Sequence, residues 1–260
     1  MDNQVAEKNS ADKFEMILRS AMEFPGVRIE RSTFLRKELS KCFGDETVEK
    51  AIEFNPAKAG ISVDELEQIA KACIDYETRK VSAISAVAGL PGGFAMAATI
   101  PADAVQLFAH IIRVLQKLAY LYGWQEFYRE KDTDFDDETS NKIILFIGAM
   151  MGVNVANTAL AKISVLMAQN TSKHLARKAL TKGVVYPVVK KTLGMIGVKM
   201  TKKIFAKSVG KIIPVVGAVA SGGVTYVIFK PMAKRLKKYL ETLSLASVEH
   251  YKTIENNDLV

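Results

Sequence analysis

Apolar positions recur along most of this chain at three- and four-residue spacing, the period of helices that bury one face. Phe14, Ile17 and Leu18 begin a short amphipathic helix that stops near Pro25-Gly26. Ser32 or Thr33 is placed to cap a second, carrying Phe34, Leu35 and Leu39. Asp45 opens DETVEKAIEF, which ends before Pro56. Ser62 followed three residues later by Glu65 fits a capping box, with Leu66, Ile69, Ala70 and Cys73 on one face beyond it. Pro101 suits a first helical turn and Asp103 the positive helix start. That helix runs to Tyr122 and stops at Gly123, a natural C′ residue. No alternation is long enough for a sheet and no fixed-period repeat occurs. The pattern predicts an all-α protein, a single multi-helix domain built from apolar hairpins interrupted by glycine and proline.

Three apolar runs raise the question of a bilayer. Residues 87–103, VAGLPGGFAMAATIPAD, carry no charge until Asp103, but Pro91, Gly92 and Gly93 break the run. Residues 212–229 are broken by Pro214 and contain Gly217. Freed backbone groups in lipid cost several kcal/mol each, so neither is a convincing span. Both read as tight elbows, at 89–93 and 210–223. Only 143–161, IILFIGAMMGVNVANTALA, has the continuity to cross: nineteen residues rise ~28 Å against a ~30 Å hydrocarbon core. Asn154 and Asn157 favour a buried core helix instead, and Gly148-x-x-x-Gly152 marks close packing.

Charge is unevenly placed. The net balance is +8, yet residues 1–138 hold 17 Lys/Arg against 24 Asp/Glu, whereas 139–240 hold 18 Lys/Arg and no acid. This calls for an anionic partner for the second half, or for pairing between the halves. Only Arg177 and Arg235 of those 18 are arginine, which suits diffuse attraction to a charged surface better than bidentate phosphate recognition. The start of the chain is polar with mixed charge and unlike a signal peptide, so a cytoplasmic protein is expected, peripheral on the inner face of the cell membrane. Cys42 and Cys73 stand alone, and a buried free thiol is expected at Cys73.

Several motifs together resemble a known family. GLPGG (Gly89 to Gly93), TIPAD (Thr99 to Asp103), Arg113 and LAYLYG (Leu118 to Gly123) resemble the first signature of the EcsC family, and KIIPVVGAVASGGVTY (Lys211 to Tyr226) is similar to its second. The likeness covers roughly residues 80–240 and extends distantly to the apolar helical region of some bacterial membrane-associated GTPases. It implies a bacterial protein with a helical fold and a tie to membranes, and supplies no reaction. The expected organisation is an amino-terminal helical segment of mixed charge over 1–60, an EcsC-like helical domain over 61–245 and a frayed polar tail over 246–260.

Catalytic chemistry has little to work with. His110, His174 and His250 are isolated, and no HExxH or paired-cysteine spacing suggests zinc. KSVGK at 207–211 lacks the upstream glycine and the Ser/Thr of a phosphate loop. Asp132, Asp134 and Asp136 match the start of a calcium loop, but Asp137 replaces its glycine and Ile143 its glutamate, leaving a solvated acidic loop. No enzyme, metal or cofactor is expected.

Two candidate sites remain. Asp103, Gln106, His110, Arg113 and Lys117 form one polar stripe on an otherwise apolar helix. Asp103, His110 and Arg113 would line a polar groove for a headgroup or partner. Alternatively Asp103 caps backbone amides and Arg113 pairs with a carboxylate of another helix, the commoner fate of buried charge. Lys190, Lys191, Lys199, Lys202, Lys203, Lys234, Arg235, Lys237 and Lys238 are candidate contacts to a membrane or an acidic protein partner. The basic residues alternate with Leu, Val, Ile and Met rather than with stacking aromatics, which argues for an anionic phospholipid surface over nucleic acid. A soluble scaffold or partner-binding module is the second reading.

Overall fold

The structure, a computed structural model, describes residues 12, 14–86, 102–128, 137–169, 187–196 and 217–257. Among these residues the chain is helical and contains no strand. In chain order the helices are α1 (14–22), α2 (Arg31–Leu39), α3 (Asp45–Glu53), α4 (Val63–Ala86), α5 (Ala102–Leu121), α6 (Asp137–Met150), α7 (Asn154–Ala168), α8 (187–196), α9 (Gly217–Leu240) and α10 (Val248–Asn257). A 3-10 turn, Ser244–Ala246, links the last two.

Helix α5 is the axis of the packing. Ile111, Ile112, Val114, Leu115, Leu118 and Tyr120 are fully buried, as a helix apolar around most of its circumference requires. It is surrounded by α2, α4, α6 and α9, and α9 also lies along α4. One apolar cluster runs from Phe14 to Tyr251, so the core crosses both divisions expected at residues 60 and 245. Aromatic rings tie the helices together edge to face: Phe14 with Phe108 at 5.1 Å, Trp124 with Phe146 at 4.8 Å and Phe127 with Phe146 at 5.1 Å between centroids. Each such pair adds about 1 kcal/mol to the area it buries.

Local signals set several boundaries. At α4 the Ser62 amide donates to Glu65 Oε2 at 2.9 Å and the Glu65 amide returns a bond to Ser62 Oγ at 3.3 Å, the expected capping box. Its apolar face, Leu66, Ile69, Ala70 and Cys73, is buried. Burial pushes the Cys73 thiol up to about 12, so it stays protonated, while Cys42 is exposed. Helix α5 ends in a Schellman turn, with Trp124 N bonded to Ala119 O and Gly123 N to Tyr120 O, and Gly123 at φ +93°.

Four expectations need correction. The cap of α2 is neither Ser32 nor Thr33. Glu30 fills that place, its carboxylate accepting from the Ser32 and Thr33 amides at 3.1 and 2.8 Å.

The apolar run 143–161 is not one helix. It is the α6–α7 hairpin, broken by a second Schellman turn in which Val153 N reaches Gly148 O, with Gly152 at φ +70°. Among the described residues no helix is long and apolar enough to cross a membrane.

The polar tail is not frayed through its length. Leu245, Ala246 and Tyr251 are buried, and the Asn55 amide donates to the Tyr251 hydroxyl at 2.7 Å, docking α10 onto the loop after α3. Finally, residues 217–223 of the expected second elbow are helical, since α9 starts at Gly217. Pro91, Gly92, Gly93 and Pro214 lie outside the described residues.

Candidate functional site

The polar stripe of α5 meets a carboxylate. Glu77, one turn of α4 beyond Cys73 on the same face, is completely buried. An ionised carboxylate only accepts hydrogen bonds, and three α5 side chains donate to it. His110 Nδ1 lies 2.9 Å from Oε2, Arg113 Nε 3.2 Å from Oε1, and Lys117 Nζ 2.6 Å from Oε1. The spacing 110, 113, 117 sets these groups one above another on one helix face. Burial by itself would raise the Glu77 pKa. The His110 hydrogen bond and the Lys117 and Arg113 charges outweigh that and hold it at about 2.

The same face anchors the loop between α1 and α2. Arg113 Nη1 also donates to the Gly26 carbonyl. One turn on, the Gln116 amide donates to Val27 O at 2.8 Å and accepts from the Ile29 amide at 3.0 Å. Residues otherwise without secondary-structure partners are thereby satisfied inside the fold. Arg113 therefore takes the structural role, paired with a carboxylate of another helix. His110 and Arg113 are occupied by Glu77 and do not line an open groove. The side chain of Asp103, in the first turn of α5, is outside those described.

A second buried cation escaped the sequence reading. Arg31 is 6% exposed, at the first position of α2. Its guanidinium donates to Ile52 O at 2.7 Å, to Ala51 O and Phe54 O at 3.1 Å, and to Trp124 O at 3.1 Å. The first three are carbonyls left over at the carboxyl end of α3, where the helix dipole favours positive charge. Glu126 completes the arrangement, accepting the Arg31 amide at 2.7 Å and the Tyr120 hydroxyl at 2.6 Å. A basic residue opening a helix has no local signature of this kind. Its partners are 20 to 93 residues away.

The candidate contact lysines divide. Lys190, Lys191, Lys234 and Lys238 are exposed. Lys237 is not: it is 8% exposed and lies 2.5 Å from Glu241 and 3.6 Å from Glu67. The Tyr122 hydroxyl shares Glu241 at 3.0 Å. Arg235 donates to Met150 O at 3.0 Å, capping the end of α6. Lys237 belongs to the internal framework, whereas Arg235 stays exposed with its guanidinium tied to the end of α6, because α9 lies between α4 and α6. Lys230 likewise meets Asp75 of α4 at 2.7 Å, so part of the charge asymmetry is neutralised between the halves. Lys199, Lys202 and Lys203 lie outside the described residues, as do Asp132, Asp134 and Asp136.

No group of His, Cys, Asp and Glu among the described residues is arranged to hold a metal ion. Within the stripe His110, Arg113 and Lys117 form a charge cluster that donates to Glu77 and, from Arg113, to the Gly26 carbonyl. No family model, curated protein or solved structure matches the chain.

Proposed function

We propose that this chain is a non-enzymatic helical protein of the bacterial cytoplasm that associates peripherally with an anionic membrane surface, as the EcsC-like motifs would imply. The charge partition carries the reading: residues 139–240 contain 18 Lys/Arg and no acid. Within that half Lys162, Lys190, Lys191, Lys234 and Lys238 are exposed. A lysine near an anionic leaflet contributes about 1 kcal/mol, so a handful suffices for reversible attachment.

Purified protein is expected to bind vesicles containing acidic phospholipid and to ignore neutral ones. Binding weakens with salt as the screening length falls to ~10 Å at 0.1 M and further beyond it. Duplex DNA and RNA run as competitors separate lipid from nucleic acid, which shares the salt trend. Equal binding to neutral and acidic vesicles, or none to either, overturns the membrane reading.

A soluble partner-binding module is the second reading. The Lys230–Asp75 and Lys237–Glu67 pairs favour it, because they use basic charge internally instead of presenting it.

A further inference from the structure

The exposed large apolar side chains among the described residues are Met16, Phe54, Tyr76, Val165, Leu166 and Met195. The Phe54 ring lies under Lys58, and the Tyr76 ring under Lys80 and Lys117. Met16 sits on α1 beside Glu15, which pairs with Arg19. The other three stand on α7 and α8, where no acid occurs at all.

On α7, Lys162, Val165 and Leu166 follow one another at i, i+3 and i+4, turned away from the buried Leu160, Ile163 and Ser164. On α8, Lys191 and Met195 share a face one turn apart, with Lys190 beside them and Val189, Thr192 and Ile196 buried behind. The two helices are neighbours on α6. A Cβ built on Gly148 would meet Thr192 Cγ2 at 2.6 Å and Ala156 Cβ at 2.7 Å. Among the described residues Lys162, Lys190 and Lys191 have no carboxylate partner, whereas Lys230 and Lys237 on α9 do.

We infer that the outward faces of α7 and α8 form the docking surface for an anionic phospholipid bilayer. Val165, Leu166 and Met195 enter the headgroup boundary while Lys162, Lys190 and Lys191 meet lipid phosphates. Acid-free lysines flanking exposed aliphatic side chains are what an interfacial surface requires, and neither feature alone would suffice. This rests on the membrane reading above and selects the face that performs it, away from the carboxyl half of α9.

The test uses the full chain and vesicles with and without an acidic phospholipid. The native Trp124 is the only tryptophan and is buried, so Leu166→Trp or Met195→Trp adds a reporter at the proposed face. Each is expected to shift to the blue on acidic vesicles and to be quenched by brominated acyl chains. Leu166→Asp and Met195→Asp should each weaken binding about tenfold, and Lys162→Glu, Lys190→Glu or Lys191→Glu at least about fivefold. Met16→Asp, on the acid-bearing side, should leave it unchanged. Wild-type binding with neither reporter shifted nor quenched overturns this face and leaves the membrane reading standing. Failure of the wild type to bind acidic vesicles removes both.

Discussion

Gly123 and Leu245 are in direct contact across 122 residues of chain: a Cβ on Gly123 would lie 2.6 Å from the Leu245 carbonyl oxygen. The Schellman turn that ends α5 is thus also the seat of the 3-10 turn after α9. Gly123→Ala meets both a positive φ and a backbone oxygen that cannot swing aside. It is expected to cost about 2 kcal/mol or more, read as a lower urea midpoint at unchanged slope.

Glu77 carries a pH dependence. Its folded pKa, about 2, lies below the ordinary value of 4.5. The stability it supplies is therefore fully present above about pH 5 and is lost as pH falls through the folded value. Glu77→Gln should flatten the acid limb of a stability–pH curve. At pH 7 it should also destabilise the protein by about 3 kcal/mol or more, because Lys117 and Arg113 lose their counter-charge. A variant as acid-sensitive as the wild type would show that other carboxylates govern the limb.

Arg31 tests geometry rather than charge. Lysine preserves the positive sign but cannot reach the three α3 carbonyls and that of Trp124 at once. Arg31→Lys is expected to lose most of what Arg31→Ala loses, about 3 kcal/mol by denaturant unfolding. Amide exchange should rise first at the end of α3, where Ala51, Ile52 and Phe54 lose their donor.

Gly148 packs under α7 and α8 together. Gly148→Ala is expected to cost about 1–3 kcal/mol through overpacking. Thr192→Ser, which removes the methyl at 2.6 Å, should recover only part, since the Ala156 methyl at 2.7 Å stays. A double-mutant cycle measures that coupling. Full recovery would mean that Ala156 yields.

Some contacts within one helical turn were legible in the sequence, and those made across the fold were not. The Ser62–Glu65 box and the stop at Gly123 follow from local rules, and both stand where the spacing puts them. The α6–α7 break does not. Gly152 adopts its positive φ inside an uninterrupted apolar run with no proline to announce it, so periodicity alone reads straight through. The stripe on α5 was visible, yet its partner was not, because Glu77 is one acid among many in the first half until the fold brings it opposite His110, Arg113 and Lys117. Lys237 and Arg235 show the converse limit. A basic run looks solvated until α4 and α6 supply a carboxylate and a carbonyl.

The lodging of α9 against α4 also has a consequence during synthesis. A nascent chain that has completed α4 must still add the 130 residues between Ala86 and Gly217 before the helix that covers it begins to emerge. At ordinary elongation rates that interval is on the order of ten seconds, far longer than a helix or a helical hairpin takes to form. Until then the side of α4 that α9 will occupy is bare and adhesive, and Asp75 and Glu67 wait without Lys230 and Lys237. Ribosome-bound intermediates halted anywhere between those two helices should therefore be captured by holdase chaperones, and released once α9 has left the exit tunnel.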